Sequence, residues 1–400
     1  MSAYKKISHW LTIFLTMLMV SGPSANAQID QPVLSCDFGD VVFDLSFSSA
    51  RLNSCQQTGD TVFSVSTAPE NVPINPSPWY AFKLYSETPQ DITVYLHYPL
   101  SRHRYLPKIS SDGVNWQPIA EQDLQVLFDE KAIKMRLQAG PDGLWVAAQE
   151  IVDNRFYDEF TSELANLDFL DRQILGLSAE GRPIYTLRTT TPAQRYVVMI
   201  GRQHPPEITG ALAMTQFVER IMRDEPLANA FRAQYGLLIT PNMNPDGVER
   251  GFWRHNMGGI DLNRDWGPFT QPETRLMRDQ LNRFLEPGMP TLSLFLDFHS
   301  TNRDIFYTPT LEVTRHLPEF TDLWLSQVQA RMQQIYPEYE VEAVPGYNVD
   351  SGVSKSWISQ MFGVPAITVE IGDDTPRAMI DSLAVIAAEE MMTQLLSLEN

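Results

Sequence analysis

Four short, wholly apolar runs alternate with helical stretches along the second half of the chain: "RYVVMIG" (195–201), "YGLLITP" (235–241), "LSLFLDF" (292–298) and "PAITVEIG" (365–372). A strand without polar alternation is buried on both faces, and such strands belong to largely parallel sheets covered by helices. The intervening stretches fit that role. "EITGALAMTQFVERIM" sets Ile208, Ala211, Leu212, Val218 and Ile221 at helical spacing. "TQPETRLMRDQLNRFL" opens with Thr270 and Glu273 in the spacing of a capping box, and Pro272 falls in the first turn. A long last helix follows "DDTP". Residues 154–400 are therefore expected to form an α/β domain, a mostly parallel mixed sheet flanked by helices. A short helix near Phe156–Ala165 and a hairpin in "QILGLSAEGRPIYTLRT" lead into it.

Residues 28–153 carry a different period. "VVFDLSF", "TVFSVST", "WYAFKLYS", "DITVYLHY", "KAIKMRLQ" and "LWVAAQEI" place apolar or aromatic residues at near period two, separated by turns such as "SSDG" and "AGPDG". This predicts an antiparallel β-sandwich domain. Residues 1–27 read as a leader: Lys5 and Lys6, a short apolar core, then "ANA". A signal peptide cleaved after Ala27 implies a periplasmic or secreted protein with no membrane span once it is removed. Cleavage removes two lysines and no acids, taking the net charge from −19 to −21. So acidic a chain is ill-suited to nucleic acid or anionic membranes. In an oxidising compartment Cys36 and Cys55, the only cysteines, are expected to pair as a disulfide.

Open α/β sheets collect ligands outside the carboxyl ends of their strands. At those ends stand His204 and Glu207, then "NPDG", then His299, then Glu370. Imidazole and carboxylate suit zinc, and a catalytic zinc takes three protein ligands. Residues three apart in an extended chain lie about 10 Å apart and point opposite ways, so His204 and Glu207 can share an ion only across a sharp turn. Pro205 and Pro206 supply fixed φ there. Alone, H-x-x-E also reads as a strand-to-helix turn with an acid at the helix start. A strand-end His299 is what favours a metal.

The pieces "HPPE", "NPDG", "DLNRDW", "DFHS" and "TVEIG" occur in one order. With them, the region from about Leu170 onward resembles the zinc metallocarboxypeptidases of the carboxypeptidase A superfamily. "SPWYAFKL" in the preceding region makes the whole chain similar to the cytosolic-carboxypeptidase-like branch, which carries an N-terminal β-sandwich domain. Pro206 departs from the glycine usual in that branch.

The resemblance implies one zinc per chain, with His204, Glu207 and His299 as ligands and Glu370 as general base. It implies that Asn263 and Arg264 grip the terminal carboxylate of a peptide or protein substrate; a guanidinium fork matches a carboxylate bidentately. Arg254 would stabilise the oxyanion, and Asp261 would stand behind His204. Tyr347 is the candidate for the family's active-site tyrosine. Lys355 falls at the floor of the side-chain pocket, where an ammonium would favour an acidic C-terminal residue. The expected activity is hydrolysis of a C-terminal peptide or isopeptide bond. A peptidoglycan stem-peptide amidase or carboxypeptidase with the same zinc site is the alternative, and a zinc- or carbohydrate-binding scaffold the non-enzyme one. His97, His103, His255 and His316 are assigned to no site, and nothing specifies an oligomeric state.

Overall fold

The computed structural model describes residues 32–398, so the leader expected over residues 1–27 lies outside the described residues. The first part of the chain folds into two packed sheets. One runs Ser35–Asp37, Val41–Asp44, Ala81–Ser86, Leu144–Ala147, Lys108–Ser110, Gln117–Pro118 in spatial order. The other runs Ser54–Gly59, Val62–Ser66, Gln90–His97, Ala132–Ala139, Leu124–Leu127. Alternate residues such as Phe43, Phe63, Phe82, Val94 and Met135 fill the space between them. The sheets are not wholly antiparallel, because Val62–Ser66 pairs parallel to Gln90–His97. Period-two patterning fixes which face of a strand is buried, not which neighbour it takes. Cys36 and Cys55, on the edge strands of the two sheets, are bonded with their Cα atoms 6.2 Å apart.

The second part is an eight-stranded mixed sheet. Its strands are β1 (Leu170–Leu177), β2 (Pro183–Thr189), β3 (Arg195–Gly201), β4 (Tyr235–Thr240), β5 (Thr291–Thr301), β6 (Ile305–Thr308), β7 (Ala343–Pro345) and β8 (Ala366–Gly372). Their spatial order is β1-β2-β4-β3-β5-β8-β6-β7. The four apolar runs are the mutually parallel centre, β4-β3-β5-β8.

Its helices are α1 (Asn154–Leu164), α2 (Ile208–Met222), α3 (Pro226–Arg232), α4 (Pro245–Glu249), α5 (Pro272–Asn282), α6 (Phe320–Met332), α7 (Ser354–Phe362) and α8 (Arg377–Leu398). Along β3 the side chains divide between two cores. Val197 and Met199 pack with Phe217 of α2, Trp324 of α6 and Ala387 of α8. Val198 and Ile200 pack with Met277 of α5 and Ile358 of α7. Fully burying a side chain such as Phe217 contributes about 1.5–3 kcal/mol. Gly210 lets α2 lie directly on β5, since a Cβ there would overlap the His299 carbonyl. Among the described residues no helix is long and apolar enough to cross a membrane.

The capping box expected at Thr270 and Glu273 does not form. Gln271 is the N-cap of α5 and has no side-chain cap bond. Asp265 holds the segment that leads into the helix, accepting from Thr270 N, Gln271 N and the Thr270 hydroxyl at 2.9, 2.9 and 2.7 Å. Glu273, fully buried, accepts from Asn256 Nδ2 at 2.9 Å. The Thr270 hydroxyl is thus turned to Asp265 and away from the helix start.

Candidate active site

β3 stops at Gly201, and Arg202 takes a left-handed conformation at φ 55°. That is an unusual backbone for a residue with a Cβ and is held by its surroundings. The Arg202 side chain donates from Nε to the Pro205 carbonyl (2.9 Å) and from Nη1 to the Tyr157 hydroxyl (2.8 Å). Two prolines follow, and Glu207 becomes the N-cap of α2. The sharp turn demanded by H-x-x-E is thus made by Arg202 as well as by the prolines. Arg202 carried no signal in the sequence.

The turn brings His204 Nδ1 to 2.8 Å from Glu207 Oε1. His299, near the end of β5, places Nδ1 2.7 Å from Glu207 Oε2 and 3.2 Å from His204 Nδ1. One ligand atom from each of the three residues lies within 4.8 Å of the others, and all three residues are buried. The opposite ring nitrogens face carboxylates: His204 Nε2 lies 2.7 Å from Asp261 Oδ1, and His299 Nε2 3.0 Å from Asp297 Oδ1. Fixing a proton on Nε2 turns the Nδ1 lone pair inward, which is how a carboxylate orients a metal-binding imidazole. Two imidazoles and a carboxylate with this backing fit a zinc ion. Asp297 was not singled out in the sequence, though residues two apart in a strand share a face and "DFH" sets it beside His299.

Charges in the cluster oppose burial. Burial alone would raise the Glu207 carboxyl, but His204 and His299 hold it well below the usual carboxylate range. Burial would lower His299, yet Asp297 and Glu207 raise it well above the usual imidazole range. Asp261 is likewise held low, against burial, by His204 and Arg254. A proton and a metal therefore compete for the same inward nitrogens.

Glu370 stands on β8 directly opposite His299 in the strand register. Its pKa is pushed up to about 7, first by burial and then by the Glu207 charge. Its Oε2 has no hydrogen-bond partner among the described residues. Arg254 is buried, donating from Nε to Asp261 Oδ2 at 2.7 Å, with Nη1 3.8 Å from Glu207 Oε1. Asn263 Nδ2 lies 3.2 Å from His299 Nε2, and its Oδ1 accepts from Ser354 N at 2.9 Å. Its amide oxygen is therefore engaged, while Arg264 beside it is exposed, with Nη1 donating to the Asn263 carbonyl at 2.6 Å.

These groups line one cleft of about 140 Å³ together with Lys355 and Tyr347. Lys355 is buried, Nζ donates to the Tyr347 carbonyl at 2.6 Å, and burial lowers its pKa to about 8. Tyr347 is 47% exposed at the rim and stacks on Tyr307 with ring centroids 4.5 Å apart. The cleft therefore gathers the residues expected at the site except His299, which lies beneath its floor against Glu207 and His204, and Asp261, which sits behind His204.

Among the lining residues without a signal in the sequence are Tyr307, and Asn75 and Arg104 from loops of the N-terminal part. Arg104 is held by Asp373 (Nε to Oδ2, 2.8 Å) and Ser77 (Nη1 to Oγ, 2.8 Å). His255, assigned to no site, is buried with Nδ1 2.6 Å from Asn71 Oδ1.

A family model described as zinc carboxypeptidase matches residues 157–389. Cytosolic carboxypeptidase 6 of Homo sapiens is 28% identical over 145 residues, 34% of this chain and 29% of its own length. Cytosolic carboxypeptidase 3 of Mus musculus is 24% identical over 322 residues, 70% of this chain and 31% of its own. The chain thus spans under a third of the length of these curated relatives. A metallo-carboxypeptidase structure from Burkholderia cenocepacia has a TM-score of 0.73 at 20% identity, covering 90% of this chain and 100% of that one. One from Pseudomonas aeruginosa, in complex with (2-guanidinoethylmercapto)succinic acid, has a TM-score of 0.72 at 21% identity, covering 89% and 99%. At these identities the likeness is one of fold.

Proposed function

The chain belongs to the zinc carboxypeptidase family, and from that premise we propose that it hydrolyses the last peptide or isopeptide bond of a substrate gripped by its free carboxylate. The observation that carries this reading is the convergence of His204, Glu207 and His299 beside Glu370, whose buried Oε2 has no hydrogen-bond partner among the described residues. Those three residues would hold the zinc, which when bound supplies Lewis acidity, acidifying water and polarising a carbonyl. Glu370 takes a proton from the attacking water and returns it to the leaving amine. A base with a pKa near the working pH does both steps well. Arg254, aimed into the cleft by Asp261, meets the negative charge that grows on the scissile oxygen. Arg264, with Asn263, pairs with the terminal carboxylate, and Tyr347 closes the rim over it.

Lys355 favours an acidic terminal side chain, such as glutamate. It is buried at the cleft wall, where among the described residues its ammonium makes one hydrogen bond, to the Tyr347 carbonyl, so an entering carboxylate can pair with that charge. The leader expected over residues 1–27, together with the cysteine pair, supports action in the periplasm or outside the cell.

The test is zinc-loaded protein on matched peptides ending in Glu, Gln, Leu or Lys, each as free acid and C-terminal amide, with muropeptides alongside. Release of the last residue from free acids, fastest for Glu, is expected. Equal cleavage of amides would sink the carboxylate grip. Faster cleavage of muropeptides would favour the stem-peptide reading.

A further inference from the structure

Arg254 stands on an irregular segment between α4 and the short turn Leu262–Arg264, where no helix or strand fixes its backbone. The fixing comes from a loop of the N-terminal part, just beyond the strand Val62–Ser66. Glu70 accepts three successive backbone N–H groups: Trp253 to Oε2 at 2.7 Å, and Arg254 and His255 to Oε1 at 3.0 and 2.6 Å. Its side chain is 5% exposed. Asn71 extends the hold, taking His255 Nδ1 on Oδ1 at 2.6 Å and donating to the Gly259 carbonyl at 3.0 Å. Trp253 is fully buried in the N-terminal core, with its indole N–H directed to the Trp79 carbonyl at 3.1 Å.

We propose that Glu70 is a positioning residue for the reaction, acting through Arg254: a loop of the N-terminal part completes the active site by fixing the backbone that aims this guanidinium. The chemistry of the side chain supports this. Three converging donors need an acceptor-only group, and an ionised carboxylate is the one side chain with two oxygens and no hydrogen to clash. Burying it costs free energy that three charge-assisted bonds must offset. The residue whose N–H sits in the middle of the three is Arg254, whose guanidinium reaches Asp261 at 2.7 Å and Glu207 at 3.8 Å. A misplacement of about 1 Å at such a group costs on the order of 100-fold in rate.

The inference rests on the carboxypeptidase reading for its rate measurement and not for its geometry. Full-length, zinc-loaded Glu70→Gln would be assayed on a peptide ending in Glu, with zinc content and backbone hydrogen exchange over residues 250–261 measured on the same sample. The expected result is a fall in kcat of about 10- to 100-fold, with zinc content unchanged, KM nearly so, and faster exchange at residues 253–255. In an Arg254→Ala background, Glu70→Gln should then change kcat less than about twofold, since coupled residues are not additive. An equal fall in both backgrounds would overturn the proposal, because it would show a general loss of structure. So would freed amides with an unchanged kcat.

Asn71→Ala introduces no donor against the backbone and keeps the test open if Glu70→Gln does not fold. It should give a smaller fall that also vanishes beside Arg254→Ala, and an additive fall counts against the proposal. If the wild-type protein cleaves no peptide, the functional reading fails, and unchanged exchange at residues 253–255 in Glu70→Gln would separately remove the clamp.

Discussion

At one end of the cleft each proposed zinc ligand stands near the end of a buried strand or at the start of a buried helix, and both imidazoles have a carboxylate behind them. At the other end the walls come from loops: Tyr347 is 47% exposed, Arg264 is exposed, and Lys355 is tied to the Tyr347 carbonyl of a loop. The first construction suits an ion, whose ligands must hold their geometry without reorganising. The second suits substrate side chains, which differ from one another and must enter and leave. Changes at the ligand end should therefore abolish chemistry, and changes at the pocket end should alter choice while leaving chemistry intact.

The most severe break should come from Glu370→Gln, which removes the proposed base but keeps shape. It should cost about 10²–10⁴ in kcat while zinc content, read by atomic absorption, stays at one per chain. Hydrolysis at the wild-type rate would remove Glu370 from the mechanism and with it the contrast between the two ends. Next comes Asp297→Asn. His299 then loses the carboxylate on Nε2, and zinc affinity should fall about 10- to 100-fold, measured by competition with a chelating dye. An unchanged affinity would show that the strand alone fixes the ring.

What could be read in advance follows the same division. His204, His299 and Glu370 were legible because each ends an apolar run, and strand ends in such sheets converge. Asp297 was within reach by the same alternation. Thr270 was misread because its rival, Asp265, is brought to the helix start only by the turn at Leu262–Arg264. Glu70 and Arg104 lie far from the segments they touch, Glu70 and Arg254 being 184 positions apart in the chain and Arg104 and Asp373 269 apart. No local period or spacing encodes a contact that depends on how two sheets pack against a third. The parallel pairing of Val62–Ser66 was hidden for a related reason, since alternation specifies a face and leaves the neighbour open.

At the pocket end, Lys355→Met keeps the length and apolar stem of the side chain while removing the charge. The kcat/KM ratio for peptides ending in Glu over Leu should drop about tenfold, the worth of one partly solvated charge pair of roughly 1–2 kcal/mol. The rate on the Leu peptide should hold. Loss on both peptides alike would place Lys355 among the structural residues of α7 and blur the distinction between the two ends.

The smallest effect is the sharpest test, because it needs no mutation. Burial lowers the Lys355 pKa to about 8. A lysine is charged below its pKa and neutral above it, so the preference for Glu should be complete near pH 6–7. It should be halved near pH 8 and fade by about tenfold one unit higher. Taking the ratio of kcat/KM for Glu over Gln peptides cancels every titration that acts on both substrates alike, including that of Glu370. What remains reports the free enzyme's own pocket. A ratio flat from pH 6 to 10 would mean that the ammonium does not meet the substrate side chain, and selectivity would have to come from the shape of the loop around Tyr347.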